Sequence, residues 1–177
     1  LFPDRVSKLV AIEGMGLSPK AIAQGNALST PDRWREWIDE RRKGGRRVPR
    51  RYPTIEAAVE RMRERNERLS AEQALHLTRH GVNRNEDGSY SWKFDPYMHS
   101  QPPGGTTDAE LPEFWRGVTC PVLLYLGLKS WASNPVEDGR AAHFANARLV
   151  EFAESGHWVH HDEFARFVVE TRAFLTA

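Results

Sequence analysis

A histidine directly after a glycine, in Ser155-Gly156-His157-Trp158, is the residue of this 177-residue chain best placed for proton transfer. Gly156 lets the backbone turn sharply beside it. The amphipathic segment that follows reads as a helix, so His157 falls on a loop between a strand and a helix. An imidazole on such a loop can take a proton from a nucleophile and return it to a leaving group. A carboxylate is needed to orient it. Glu13 closes the apolar run Leu9-Val10-Ala11-Ile12, and a carboxylate at the end of a buried strand is costly unless it has a partner. Glu137 and Asp138, in the loop after Ser130, also carry carboxylates. His160, His161 and Asp162 extend the cluster around His157. A zinc-like reading would use His157 with His160 or His161. No second ligand group is evident, and Asp162 suits the first turn of a helix, so no metal is expected. The chain lacks a G-x-S-x-G motif and its Asp or Cys variant throughout. Ser130, Ser133 and Ser155 lie near the proposed chemistry without that context.

The elements that must carry these residues can be read from periodicity. Residues 6–13 read as a strand. Cys120-Pro121-Val122-Leu123-Leu124-Tyr125-Leu126-Gly127 enters from a proline, ends in glycine and reads as a buried parallel strand. Arg148 to Phe152 reads as another. Between the first strand and these two the pattern turns helical. Thr30-Pro31-Asp32 combines an N-cap, a first-turn proline and an acid suited to the helix dipole. Trp34, Trp37 and Ile38 follow at helical spacing, and Gly44 ends that helix. A second helix starts near Thr54. A third opens with the capping box Ser70-Ala71-Glu72-Gln73, stapled by Leu69 and Ala74, and stops at Gly81. Asp87-Gly88 marks a tight turn. Tyr90, Trp92 and Phe94 then alternate along a strand. Gln101 to Thr107 reads as a linker, and Leu111, Phe114 and Trp115 as a short helix. The closing helix carries Phe164, Phe167, Val168, Thr171, Phe174 and Leu175 as an inward stripe.

Strand, helical block, strand, strand, helix fits an α/β core interrupted by a helical insertion. With the Cys120–Gly127 strand, the Gly156-His157 loop and the opening Leu1-Phe2-Pro3-Asp4-Arg5-Val6-Ser7-Lys8-Leu9-Val10, the chain resembles the C-terminal half of an α/β-hydrolase. That resemblance implies a partial hydrolase sheet made of its last three strands, with a helical cap. Residues 1–15 would hold a core strand, 16–110 the mainly helical cap, and 111–177 the C-terminal core with the catalytic histidine. His157 stands in the place of that histidine, as general base. Many relatives place the triad acid in G-x-x-D after the strand ending at Gly127. Here Ser130 stands there, and a serine cannot stabilise an imidazolium as a carboxylate does. Some members, including a group of haloalkane dehalogenases, carry the acid at the end of the preceding core strand, where Glu13 stands; Glu137 and Asp138, in the loop after Ser130, are the alternative acids. The nucleophile would come from a missing N-terminal half of the same fold. The resemblance implies hydrolysis of a small-molecule ester or related acyl compound, with no cofactor. The alternatives are a dehalogenase-like enzyme with an upstream aspartate nucleophile, or a non-catalytic partner or binding chain. Taken alone, the chain is expected to be inactive. Trp131 and Trp158, beside the acid loop and the histidine, are candidates for binding substrate. Trp34 and Trp37 could line an apolar pocket or form plain core.

Composition sets outer bounds. Net charge is +1, with 28% charged residues and a mean hydropathy of −0.62, so no global field calls for nucleic acid or a membrane surface. The run Arg41-Arg42-Lys43-Gly44-Gly45-Arg46-Arg47-Val48-Pro49-Arg50-Arg51 is strongly basic. Flanking acids can neutralise it, and it reads as a solvated loop. The single cysteine, Cys120, cannot form an internal disulfide, which makes a reducing, cytoplasmic setting the default expectation. The longest apolar stretch is far too short to span a bilayer.

Overall fold

The computed structural model describes residues 2–25, 27–45, 48–95 and 110–177. In chain order its elements are β1 (Leu9–Ile12), α1 (Pro19–Gly25), α2 (Thr30–Gly45), α3 (Ile55–Arg65), α4 (Ala71–Gly81), β2 (Val82–Arg84), β3 (Tyr90–Trp92), α5 (Leu111–Arg116), β4 (Val122–Gly127), β5 (Ala147–Phe152), α6 (Val159–Asp162) and α7 (Phe164–Thr176), with short 3-10 turns at Pro3–Arg5 and Arg140–His143. They form two compact units, Leu1–Ala27 with Gly104–Ala177, and Leu28–Pro103. Residues 16–27, expected in the helical insertion, cluster with the sheet instead.

The first unit is built on a parallel sheet of order β1-β4-β5. Every residue of β4 is buried, because a strand with neighbours on both edges and side chains packed on both faces has no side left for water. Leu123 and Tyr125 point to one face, where they pack with Val150, Phe152 and Val159. Phe167 and Phe174 of α7 cover that face. Val122 and Leu124 point to the other, against Met15, with Trp115 and Phe144 packed on them. This alternation is the period-2 geometry of a strand. The closing helix differs from its expected stripe. Glu163 separates α6 from α7, and Phe164 and Leu175 are exposed at 63% and 52%. Only the middle of the stripe packs inward. Cys120 is a buried free thiol.

The second unit is mainly helical. Thr54 caps α3 by accepting Ala57 N–H, and Ser70 forms a full capping box with Gln73 on α4. At α2 the cap moves by one residue from its expected place. Thr30 is already helical, and Ser29 Oγ accepts the Asp32 N–H. The aromatic strand β3 finds an antiparallel partner, β2, that periodicity misses because it follows α4 without a loop. Tyr52, Ala58 and Val82 form the small core of this unit, with Tyr90 and Trp92 against it. The expected linker at Gln101–Thr107 lies outside the described residues.

Candidate functional site

The site begins where β1 ends. Glu13 has φ 48°, a left-handed conformation that side chains other than glycine rarely adopt. Its own N–H still bonds Tyr125 O at 3.1 Å, as if the strand continued. The turn swings its side chain over the end of β4. There the carboxylate is fully buried. Oε1 accepts Gly127 N–H at 2.8 Å. Oε2 accepts the Ser130 hydroxyl at 2.7 Å and faces His157 Nδ1 at 2.5 Å. Every contact is a hydrogen bond, which is what a buried carboxylate requires. No lysine or arginine among the described residues pairs with it.

His157 reaches Glu13 from the loop between β5 and α6. That loop is held by carboxylates from the start of the helical pair. Asp162 Oδ2 accepts Gly156 N–H at 2.7 Å. Glu163 Oε1 accepts Glu154 N–H at 3.1 Å and the buried Ser155 hydroxyl at 2.8 Å. Lys129 N–H bonds Ser155 O at 2.9 Å, tying the loop after β4 to the histidine loop. Gly127 makes this approach possible. A Cβ there would lie 2.1 Å from Gly156 O and 2.5 Å from Ser155 O. The His157 side chain is 40% exposed, and Trp131 lies against it with ring centroids 4.9 Å apart. With Nδ1 engaged by Glu13, Nε2 forms no hydrogen bond among the described residues. A cavity of about 130 Å³ borders this cluster, lined by Glu13, Gly14, Leu126, Trp131 and Ser133 among others.

The other sequence candidates go elsewhere. Asp138 does not hydrogen-bond His157. Its carboxylate pairs with Arg140 at 2.8 Å and accepts the Ser133 hydroxyl at 2.7 Å. Burial pushes the Asp138 carboxyl up, but the bonds from Arg140 and Ser133 outweigh it and hold the group below the ordinary carboxylate range. Glu137 is exposed and contacts Asn134. Trp158 lies against His161, with centroids 5.5 Å apart. Trp34 and Trp37 pack edge to face on α2, in the other compact unit. Burial, and then His161, hold the His160 imidazole below its usual range, and its Nδ1 is buried without a partner. Among the described residues no group of three or more metal-ligating side chains converges. In the basic run, Arg42 and Lys43 pair with Asp39 and Glu40, and Arg51 with Asp87. Arg46 and Arg47 lie outside the described residues.

Two structural residues escaped the sequence reading. Gly127 looked like a strand terminator, and only the tertiary contact reveals why no side chain fits. Arg140 had no motif at all. It is 7% exposed, and its guanidinium bonds the carbonyls of Gly16 (3.1 Å), Leu17 (3.4 Å) and Ser133 (3.1 Å) as well as Asp138. It thereby bolts the segment after Glu13 to the loop after β4. The only trace in the sequence is an aspartate two residues before an arginine.

No protein-family model matches the sequence. No curated protein matches it either. Solved structures do. The chain resembles E-2-(acetamidomethylene)succinate hydrolase with a TM-score of 0.73 at 19% identity, over 99% of this chain and 60% of that one. An esterase of M. tuberculosis matches with a TM-score of 0.69 at 19% identity, over 99% of this chain and 56% of that one. An alpha/beta hydrolase of Novosphingobium aromaticivorans matches with a TM-score of 0.57 at 17% identity, over 88% and 52% of the respective chains. The chain thus spans at most about three fifths of the length of these neighbours.

Proposed function

We propose, from an α/β-hydrolase fold that spans only part of its solved neighbours, that the complete protein hydrolyses a small-molecule ester or related acyl compound. One observation carries the proposal: a fully buried carboxylate, Glu13, sits 2.5 Å from Nδ1 of a half-exposed histidine. Glu13 holds the imidazole in the tautomer with its proton on Nδ1 and stabilises the imidazolium once it forms. Nε2 takes the proton of a nucleophile supplied by a segment with no counterpart in this chain. The nucleophile attacks the carbonyl carbon, and the leaving alkoxide departs with the proton returned by His157. Water, deprotonated by the same Nε2, then cleaves the acyl intermediate and restores the nucleophile. The cavity beside Glu13 and Trp131 is the starting point for the substrate-binding surface.

The same reading accounts for the sheet. Among the described residues β1 is an edge strand, hydrogen-bonded to β4 alone. An unprotected apolar edge is a template for pairing. We assign it to the missing N-terminal part of the fold, which would bring the nucleophile toward Nε2. The position of the acid also suits a dehalogenase-like enzyme, but one of the neighbours described above carries the name esterase, so acyl chemistry comes first.

The test uses the complete protein and p-nitrophenyl esters of graded acyl length. His157→Ala is expected to abolish turnover. Glu13→Gln is expected to lower kcat by a factor of about 100 or more with KM little changed, because the orienting charge matters most in the transition state. Full turnover in either variant would sink the assignment.

A further inference from the structure

Ser130 does more than fill the place after β4. Its hydroxyl oxygen accepts Ala132 N–H at 3.1 Å, which leaves its single proton to point at Glu13 Oε2, 2.7 Å away. Ser130 N–H in turn bonds Gly127 O at 3.0 Å, closing a tight turn. That one turn therefore grips both oxygens of Glu13, Oε1 through Gly127 N–H and Oε2 through Ser130. Oε2 is also the oxygen that faces His157 Nδ1. Two donors converge on one oxygen.

We propose that Ser130 is a positioning residue that sets the basicity of His157 through Glu13, by placing a hydroxyl proton on the carboxylate oxygen that receives the imidazole Nδ1–H. A donor bonded to a carboxylate withdraws charge from it and weakens it as a partner for a second cation. With Ser130 present, Oε2 stabilises the imidazolium less than a bare buried carboxylate would. The inference rests on the hydrolytic reading for its use, but its physical content is a coupling between three side chains.

The titratable and charged groups around the imidazole come from each element packed on it. They are Glu13 from the end of β1, and His160 and Asp162 from α6. Of these only Glu13 bonds Ser130.

The experiment is an NMR titration of the histidine side chains of the complete protein, isotope-labelled, with His157 assigned by its disappearance in His157→Gln. Ser130→Ala is expected to raise the His157 titration midpoint by about half a pH unit, roughly a threefold gain in proton affinity. Ser130→Thr, which keeps the donor, should leave it in place. Simple loosening of the site would lower the midpoint, so an unchanged or lowered value in Ser130→Ala overturns the proposal. Ser130→Cys, near in size and a weaker donor, supplies the same test should the alanine variant not fold; its midpoint must rise. Glu13→Gln is the control, and its midpoint should fall. If Glu13→Gln has no effect, the Glu13–His157 pairing and the hydrolytic reading fail together. If it acts and Ser130→Ala does not, only the role of Ser130 is lost.

Discussion

Glu13 combines two costs that a protein rarely carries without a use. It is a buried carboxylate with no arginine or lysine partner among the described residues, on a backbone at φ 48°. A left-handed conformation costs a non-glycine residue about 1–2 kcal/mol. Glu13→Gly relieves that strain while removing the side chain. Such a variant should lose less stability than Glu13→Ala, by about 1 kcal/mol, in urea unfolding of this chain. The reverse holds at Gly127, where a methyl group would run into the backbone oxygens of Ser155 and Gly156. Gly127→Ala is expected to cost about 3 kcal/mol or more and to lower the thermal midpoint, since backbone cannot give way as a side-chain tip can. A stability equal to that of the parent chain would show that the histidine loop is not seated on β4.

The elements matter through the loops they hold. The stretch from β5 to α6 is not anchored by a core side chain at His157 itself, which is half exposed, but by Asp162 and Glu163 accepting the N–H groups of Gly156 and Glu154. Asp162→Asn retains shape and loses the charge that strengthens such bonds. It is expected to lower kcat of the complete protein several-fold while the fold, followed by circular dichroism, is unchanged. In the helical unit the corresponding device is the capping box of α4. Ser70→Ala should cost about 1 kcal/mol in unfolding and nothing in turnover. The elements most legible in the sequence were those with such local signatures: α3, α4 and the apolar run of β4. β2 was not, because three residues directly after a helix offer no period to count.

At the scale of the whole molecule, the Asp138–Arg140 pair links the turn after β1 to the loop after β4, and both flank the candidate site. Asp138 has its pKa lowered by folding from 3.8. Its contribution to stability is therefore fully present above about pH 4 and is lost as pH falls through the lower, folded value. Asp138→Asn should lack that component of acid unfolding. At neutral pH it should be less stable by about 3 kcal/mol, since Arg140 stays buried with its charge uncompensated. Urea midpoints measured at pH 7 and near pH 3 check both statements. The edge that β1 leaves unpaired among the described residues gives a further expectation: the chain alone should associate in sedimentation.

The sequence by itself determined much of the local order: which runs form the strands of the parallel sheet, where two of the helices are capped, and that a glycine-histidine loop precedes the last helices. These follow from side-chain period and backbone chemistry within a few residues. It also offered Glu13 and His157 as chemistry-bearing residues, but left Glu13, Asp138 and Glu137 open as partners. Only the tertiary structure brought Glu13 to His157, because that contact joins residues 144 positions apart, while Asp138 pairs with Arg140 two residues on. Parallel pairing of β1 with β4 and β4 with β5 sets which strand ends meet. Ser130 shows the same limit. As a residue type it looked like the loss of an acid, and only its place between Ala132 N–H and Glu13 Oε2 gives it a role.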